Sequence, residues 1–204
     1  MSRQTQQVFH SKGGASVRPS ARERRAISRV LVFLGFVALA AAVSAASVVA
    51  QPAGYKVYSG KPPIILSSDP AQKNAALEIV GSDGIGALGF NFNGYANGDM
   101  VVQVPAGWTI SVTFKVDSVF HHSLAIVPWQ QRKAHVFSDA FPGSSIPDPK
   151  AGIRRSSRPV TFSFVAESAG QYAMVCEVPG HDDLGMWDEF DVVQGLEAPA
   201  VFVR

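Results

Sequence analysis

Three residues near the carboxyl end of the chain carry donor atoms at a spacing suited to a metal. Cys176, His181 and Met186 lie in the stretch YAMVCEVPGHDDLGMW, residues 172–187, as C-x4-H-x4-M. Thiolate and thioether are soft donors that suit copper(I), and imidazole suits both common oxidation states of copper. A zinc site asks for four strong Cys, His or carboxylate ligands, and methionine is a poor one. The set is therefore that of a trigonal site of two histidines and one cysteine with a long axial methionine, short of one histidine. Cys176 is also the only cysteine of the chain. An unpaired thiol in an oxidising compartment needs protection, and metal ligation supplies it.

Two histidines stand side by side upstream, His121 and His122. In HHSLAIV a strand would place His122 on the same face as Leu124 and Ile126, so His122 is the preferred fourth ligand, 54 residues before Cys176. His121 would then point to solvent or a loop. Were the strand irregular there, His121 would be the alternative. Met174 shares the parity of Cys176 and is expected in the core. Trp108, Trp129 and Trp187 are expected to pack, Trp187 also being placed to line the site. His135 is expected in a loop, and Asp182 and Asp183 beside His181 are placed to steer a positively charged partner.

The elements that must hold these donors read mostly as strands. In VVQVPAGWTISVTFKV (101–116), Ile110, Val112, Phe114 and Val116 alternate with polar residues, the pattern of a half-buried strand. RPVTFSFVA, AGQYAMVC and MWDEFDVV repeat the alternation, the last closing the domain through Phe190 and Val192. Asp69-Pro70 followed by AQKNAALEIV and Gly81 predicts a short helix, with Asp as cap and Gly as stop. Short strands between turn signals predict an all-β antiparallel sandwich or Greek-key barrel. The Pro/Gly/Ser-rich excursion 130–157 is too long to be idle in such a domain.

Charge is distributed unevenly. Before residue 30 there are seven basic residues and one acidic; from residue 51 onward there are eleven basic and fifteen acidic. The body is thus mildly acidic, which removes the main reason to expect a nucleic-acid partner. Residues 1–29 read as a basic cytoplasmic leader, 30–50 as an apolar stretch long enough to cross a bilayer, 51–66 as a linker and 67–204 as the folded domain. Positive charge before the apolar stretch places the remainder outside the cytoplasm. The stretch is either a membrane anchor, the preferred reading, or a signal removed after SVVA, which would release the domain.

HSLAIV followed by YAMVCEVPGHDDLGMW resembles the blue copper proteins, or cupredoxins. The C-x4-H-x4-M spacing is similar to that of sulfocyanin and rusticyanin, and GFNFNG (89–94), VPAGW (104–108) and AFPG (140–143) lean towards sulfocyanin. The resemblance covers roughly residues 81–193. It implies one type 1 copper in a cupredoxin-like Greek-key β-sandwich, with one-electron transfer in a respiratory chain and a cytochrome or terminal oxidase as partner. Two departures stand out: Ser123 where many of the family carry Asn, and Asp188 where Gly is frequent. An enzyme with a second copper would need further histidines, and only His121 and His135 remain outside the leader and the ligand set. The alternative function is a copper-binding module for delivery or storage, although such sites tend to be methionine-rich and this chain has four Met.

Overall fold

The alternation of TISVTFKV becomes the centre of one of two sheets that share a core. A computed structural model describes residues 51–61, 63–84 and 89–204. The described residues all lie in one compact unit. The leader and the apolar stretch 30–50 lie outside the described residues; among those that are described, no helix is long and apolar enough to cross a membrane.

In chain order the strands are β1 (Lys56–Val57), β2 (Ile65–Asp69), β3 (Asn74–Ser82), β4 (Asn91–Phe92), β5 (Met100–Pro105), β6 (Thr109–Asp117), β7 (Ala125–Pro128), β8 (Val160–Val165), β9 (Gly170–Val175), β10 (Trp187–Val193) and β11 (Ala200–Val203). One sheet runs β1-β11-β5-β10-β9-β7; the other runs β2-β3-β6-β8, with β4 added to β3. The architecture is all-β and cupredoxin-like. Its core joins Leu77, Ile79, Phe114 and Phe164 of one sheet to Val102, Met174, Phe190 and Val201 of the other. Phe114 and Phe190 are fully buried, each contributing about 1.5–3 kcal/mol by leaving water.

The helix expected after Asp69-Pro70 is instead strand β3. Ala75, Leu77, Ile79 and Gly81 are buried and alternate with half-exposed neighbours, a period of two that suits a sheet and not a helix. The cap signal acts on a tight turn: the N–H groups of Ala71 and Gln72 both donate to Asp69 Oδ1, reversing the chain between β2 and β3. The sandwich is also not purely antiparallel. β3 pairs β6 in parallel and β10 pairs β5 in parallel, because each pair is joined by a long connection rather than a hairpin. β10 does not close the domain: β11 follows it, pairs β5, and adds Val201 and Val203 to the core. The segment read as a linker, 51–66, contributes β1, which pairs β11, and the buried Tyr55 and Ile64.

The excursion 130–157 lies along β7 and covers that edge of the sheet. Ile126 donates its N–H to Ser144 O and Ile146 donates to Leu124 O, while Phe141 and Ile146 enter the core. Further on, His122 and Ile153 exchange both backbone hydrogen bonds, at 2.9 and 2.8 Å. The long loop is thus the element that fixes the backbone of His122.

Candidate metal centre

Four local features bring the donors together. β9 ends at Val175, so Cys176 leaves the strand with the inward parity of Met174, and both lie in the main core cluster. The following loop folds on itself. His181 N–H donates to Val178 O, Met186 N–H to His181 O and Cys176 N–H to Met186 O, at 3.0–3.1 Å. Those bonds fix three of the four donor-bearing residues relative to one another before β10 begins. His122 comes from the opposite direction, held by Ile153. Gly152 must pass close beneath it: its φ is +65°, and a Cβ there would stand 2.7 Å from His122 O and 2.9 Å from Val178 Cγ2. Only glycine fits both the conformation and the space.

One donor atom each from His122, Cys176 and His181 lies within 4.8 Å of the others. Cys176 Sγ and His181 Nδ1 are 3.3 Å apart. Metal–ligand bonds of about 2.0–2.3 Å leave neighbouring donors roughly 3.5 Å apart, so this spacing fits a common ion. His122, Cys176 and Met186 are fully buried, and His181 retains a small exposed edge. Met186 lies near His122: a Cβ on Gly81 would stand 3.3 Å from Met186 Cε and 3.0 Å from His122 Cβ.

The unbonded atoms point to a cation. Neither ring nitrogen of the buried His122 has a hydrogen-bond partner, an arrangement that costs free energy unless something else binds there. Burial, reinforced by the charge of His181, lowers the His122 pKa to about 4, and burial lowers that of His181 as well. Both rings are therefore neutral and have lone pairs to offer near neutral pH. Burial raises the Cys176 thiol, against hydrogen bonds from Ser123 and Val178 that favour the thiolate; a metal would supply the charge that the burial opposes. The donor set and its geometry fit copper.

Of the two neighbouring histidines His122 is the buried one, whereas His121 is exposed, with its Nδ1 3.2 Å from Ala151 O. The inward parity, however, holds without a regular strand, since β7 begins only at Ala125. Ser123, the first departure, keeps two contacts to the sulfur. Its N–H donates to Cys176 Sγ at 3.2 Å and its hydroxyl lies 3.6 Å from the same atom, while accepting the Glu177 N–H at 2.8 Å. Glu177 is itself pushed up to about 6, by burial first and then by the charge of Asp139. Asp188, the second departure, is buried inside the start of β10, where Oδ1 accepts the Met100 N–H at 3.0 Å. Burial pushes its pKa well above the usual carboxylate range.

Two residues next to the donors behave differently from expectation. Trp187 does not line the centre; it lies on the other face of its sheet with Ala125, Val127, Ala173 and Val175, edge-on to Trp129. Asp182 does not face solvent but is buried, leaving Asp183 exposed. Sequence reasoning had no role for Phe90. Its ring lies 4.1 Å from the His181 ring and 4.9 Å from that of His122, roofing both imidazoles. The signal was present in GFNFNG, a motif with no donor atoms to draw attention to it. Gly81 was read only as a helix stop, whereas it is the floor under His122 and Met186.

The fold and the donor set resemble those of the blue copper proteins, and the residues present fit one type 1 copper. A family model described as "Sulfocyanin (SoxE) domain" matches residues 63–136, a span that contains Gly81, Phe90 and His122 and ends before Cys176. Sulfocyanin of Sulfolobus acidocaldarius is 27% identical over 137 residues, covering 63% of this chain and 68% of that protein. The chain is thus similar to sulfocyanin. Among solved structures, auracyanin from Roseiflexus castenholzii aligns with a TM-score of 0.44 at 23% identity, covering 59% of this chain and 97% of that one. Rusticyanin from Thiobacillus ferrooxidans aligns with a TM-score of 0.44 at 19% identity, covering 71% and 100%. Blue copper oxidase from Nitrosomonas europaea aligns at 0.45 and 22% identity over 58% of this chain, which spans only 38% of that oxidase.

Proposed function

We propose that the protein is a one-electron carrier rather than an enzyme, working in a respiratory chain on the outer face of the cytoplasmic membrane. The observation that carries this reading is the burial of His122, Cys176 and Met186 behind a single, slightly exposed histidine, His181. Bound by His122, Cys176 and His181 with Met186 as the axial donor, copper would supply a centre that alternates between Cu(I) and Cu(II). The loop bonds and the His122–Ile153 bridge hold the four side chains in one arrangement, so little has to reorganise when charge changes. The His181 edge and the Phe90 ring against it offer the shortest way to solvent. Phe120, half exposed and 5.1 Å from Phe90, extends that apolar rim towards a cytochrome or terminal oxidase.

Delivery or storage is less well supported, because a metal handed from protein to protein needs accessible ligands and these are enclosed. An oxidase or reductase would need a further copper site, and the two remaining histidines of the described residues, His121 and His135, are both exposed. The leader supports the outward placement through its charge before the apolar stretch. Optical and EPR spectra of the copper-loaded chain test the assignment. A strong visible thiolate-to-copper band with a narrow copper hyperfine splitting is expected; its absence overturns the type 1 reading. Rapid reduction and reoxidation without turnover of nitrite, phenols or oxygen is expected of a carrier, and steady turnover of any of them would make it an enzyme.

A further inference from the structure

A second group of donors stands on the rim of the metal centre. His135, in the long excursion, meets Asp182 and Asp183 of the Cys176–Met186 loop, and one donor atom from each lies within 4.8 Å of the others. His135 Nδ1 is 3.2 Å from Asp182 Oδ2, and His135 Nε2 is 3.7 Å from Asp183 Oδ1. The three side chains are not alike in exposure. His135 and Asp183 are 60% and 61% exposed, but the Asp182 side chain is 2% exposed, and its Oδ2 accepts no hydrogen bond. A buried carboxylate oxygen without a donor is costly. The His135 ring nitrogen stands at ion-pair distance from it with no hydrogen bond between them, and a cation bound between the two would satisfy both. The nearest cationic side chain in sequence, Lys133, is directed instead over the Trp187 ring.

We propose that His135, Asp182 and Asp183 form a second metal site, for a borderline divalent ion of the zinc type, between the long excursion and the ligand loop. One imidazole and two carboxylates are donors such an ion accepts at about 2.0–2.2 Å, and three protein ligands leave a tetrahedral position open to water. The exposed His135 and Asp183 form the entrance, and the buried Asp182 supplies the fixed carboxylate beneath them. The site uses none of the four donors of the copper centre. Occupied, it would tie the excursion to the ligand loop beside His181 and cancel the negative charge of the two carboxylates there.

Zinc is the probe, since it is redox-silent and leaves visible absorption untouched. The full chain is first loaded with one equivalent of copper, so that Cys176 is not available to zinc, and is then titrated with Zn2+ by calorimetry. One further equivalent is expected to bind, with affinity falling at least tenfold in His135→Ala and in Asp183→Asn. Both positions are exposed, and an unaltered blue band and thermal unfolding in each variant show that the fold and the copper centre are intact. Zinc binding to both variants as tightly as to the wild type, or no binding to the wild type, overturns the proposal.

Discussion

Gly81→Ala is the sharpest test of how the centre is packed. Gly81 lies inside β3, paired with Val116 of β6 and Phe92 of β4, and its backbone conformation is one alanine adopts freely. Space is the obstacle: a Cβ would stand 3.0 Å from His122 Cβ, 3.0 Å from Phe114 Cζ and 3.3 Å from Met186 Cε. The methionine methyl can swing away at little cost, but His122 Cβ cannot, because its backbone is bonded on both sides to Ile153. Overpacking of this kind costs about 1–3 kcal/mol, offset by about 0.4–1 kcal/mol from the stiffer unfolded chain. The net loss of about 1–2 kcal/mol corresponds to a fall in Tm of roughly 2–8 °C for a domain of this size. Visible and EPR spectra should change as well, since the displaced groups are the His122 ring and the Met186 thioether. Gly84→Ala is the control: its nearest neighbours would be Ser82 Oγ at 3.6 Å and Asn91 Nδ2 at 3.7 Å, ordinary contacts, and it should melt with or slightly above the wild type. Gly81→Ala with wild-type Tm and spectra would refute the packing argument.

His122→Ala should abolish the blue absorption and His121→Ala should leave it, because His122 is the buried member of the pair and offers an unbonded ring nitrogen beside Cys176 and His181; the reverse result would transfer the ligand role to His121. Met186→Leu should keep copper but raise the reduction potential, as loss of a weak axial donor disfavours Cu(II); cyclic voltammetry showing no rise would remove Met186 from the axial position. Ser123→Ala should lower stability by about 1–3 kcal/mol, because the buried Glu177 N–H loses its acceptor; chemical denaturation with an unchanged midpoint would count against it. Stability should also fall as pH rises from about 4 to 7. Burial, then the charge of Glu189 and the hydrogen bond between the two, raises Asp191 to about 7. A carboxyl whose folded pKa lies above its unfolded value of about 3.9 stabilises the fold fully below that value and loses the contribution as pH climbs through the folded one. Asp191→Asn should flatten that part of the Tm profile, and an unchanged slope would assign it to other groups.

The ligand loop was legible because its chemistry is local. Cys176, His181 and Met186 lie within one turn-rich segment, and their spacing alone selects a soft, three-coordinate set. His122 was legible through parity with Leu124 and Ile126, although the regularity invoked for it belongs to the bridge with Ile153. What the sequence hid was of two kinds. In AALEIV, Ala, Leu and Glu favour helix locally, and the Asp-Pro cap reinforced that signal. The parallel pairing with β6 decided the matter instead, through a contact more than thirty residues away. The same is true of β11, whose partner β5 precedes it by about a hundred residues. Gly81 and Phe90 were hidden for a different reason, as neither offers a donor atom, and a floor or a roof becomes visible only when the space it bounds is known.

That division of labour bears on how the centre tolerates a change of charge. Three donor-bearing residues sit on a loop closed by its own backbone bonds, which would alone be a flexible assembly eleven residues long. Rigidity comes from outside the loop. Gly185 O accepts the Asn97 N–H at 2.9 Å and Trp187 O accepts the Gly98 N–H at 3.1 Å, fastening the Met186 end to the turn before β5. The Asp188 carboxylate adds the Met100 N–H to the same seam. At the other end, the Ser123 hydroxyl binds the Glu177 N–H while its backbone N–H meets the sulfur, fastening the Cys176 end to the His122 segment. The loop is thus clamped at both ends by residues that carry no metal-binding chemistry. These include the two positions, Ser123 and Asp188, at which the sequence departs from the pattern of the blue copper proteins it resembles, so the departures change which groups make the clamps without opening them.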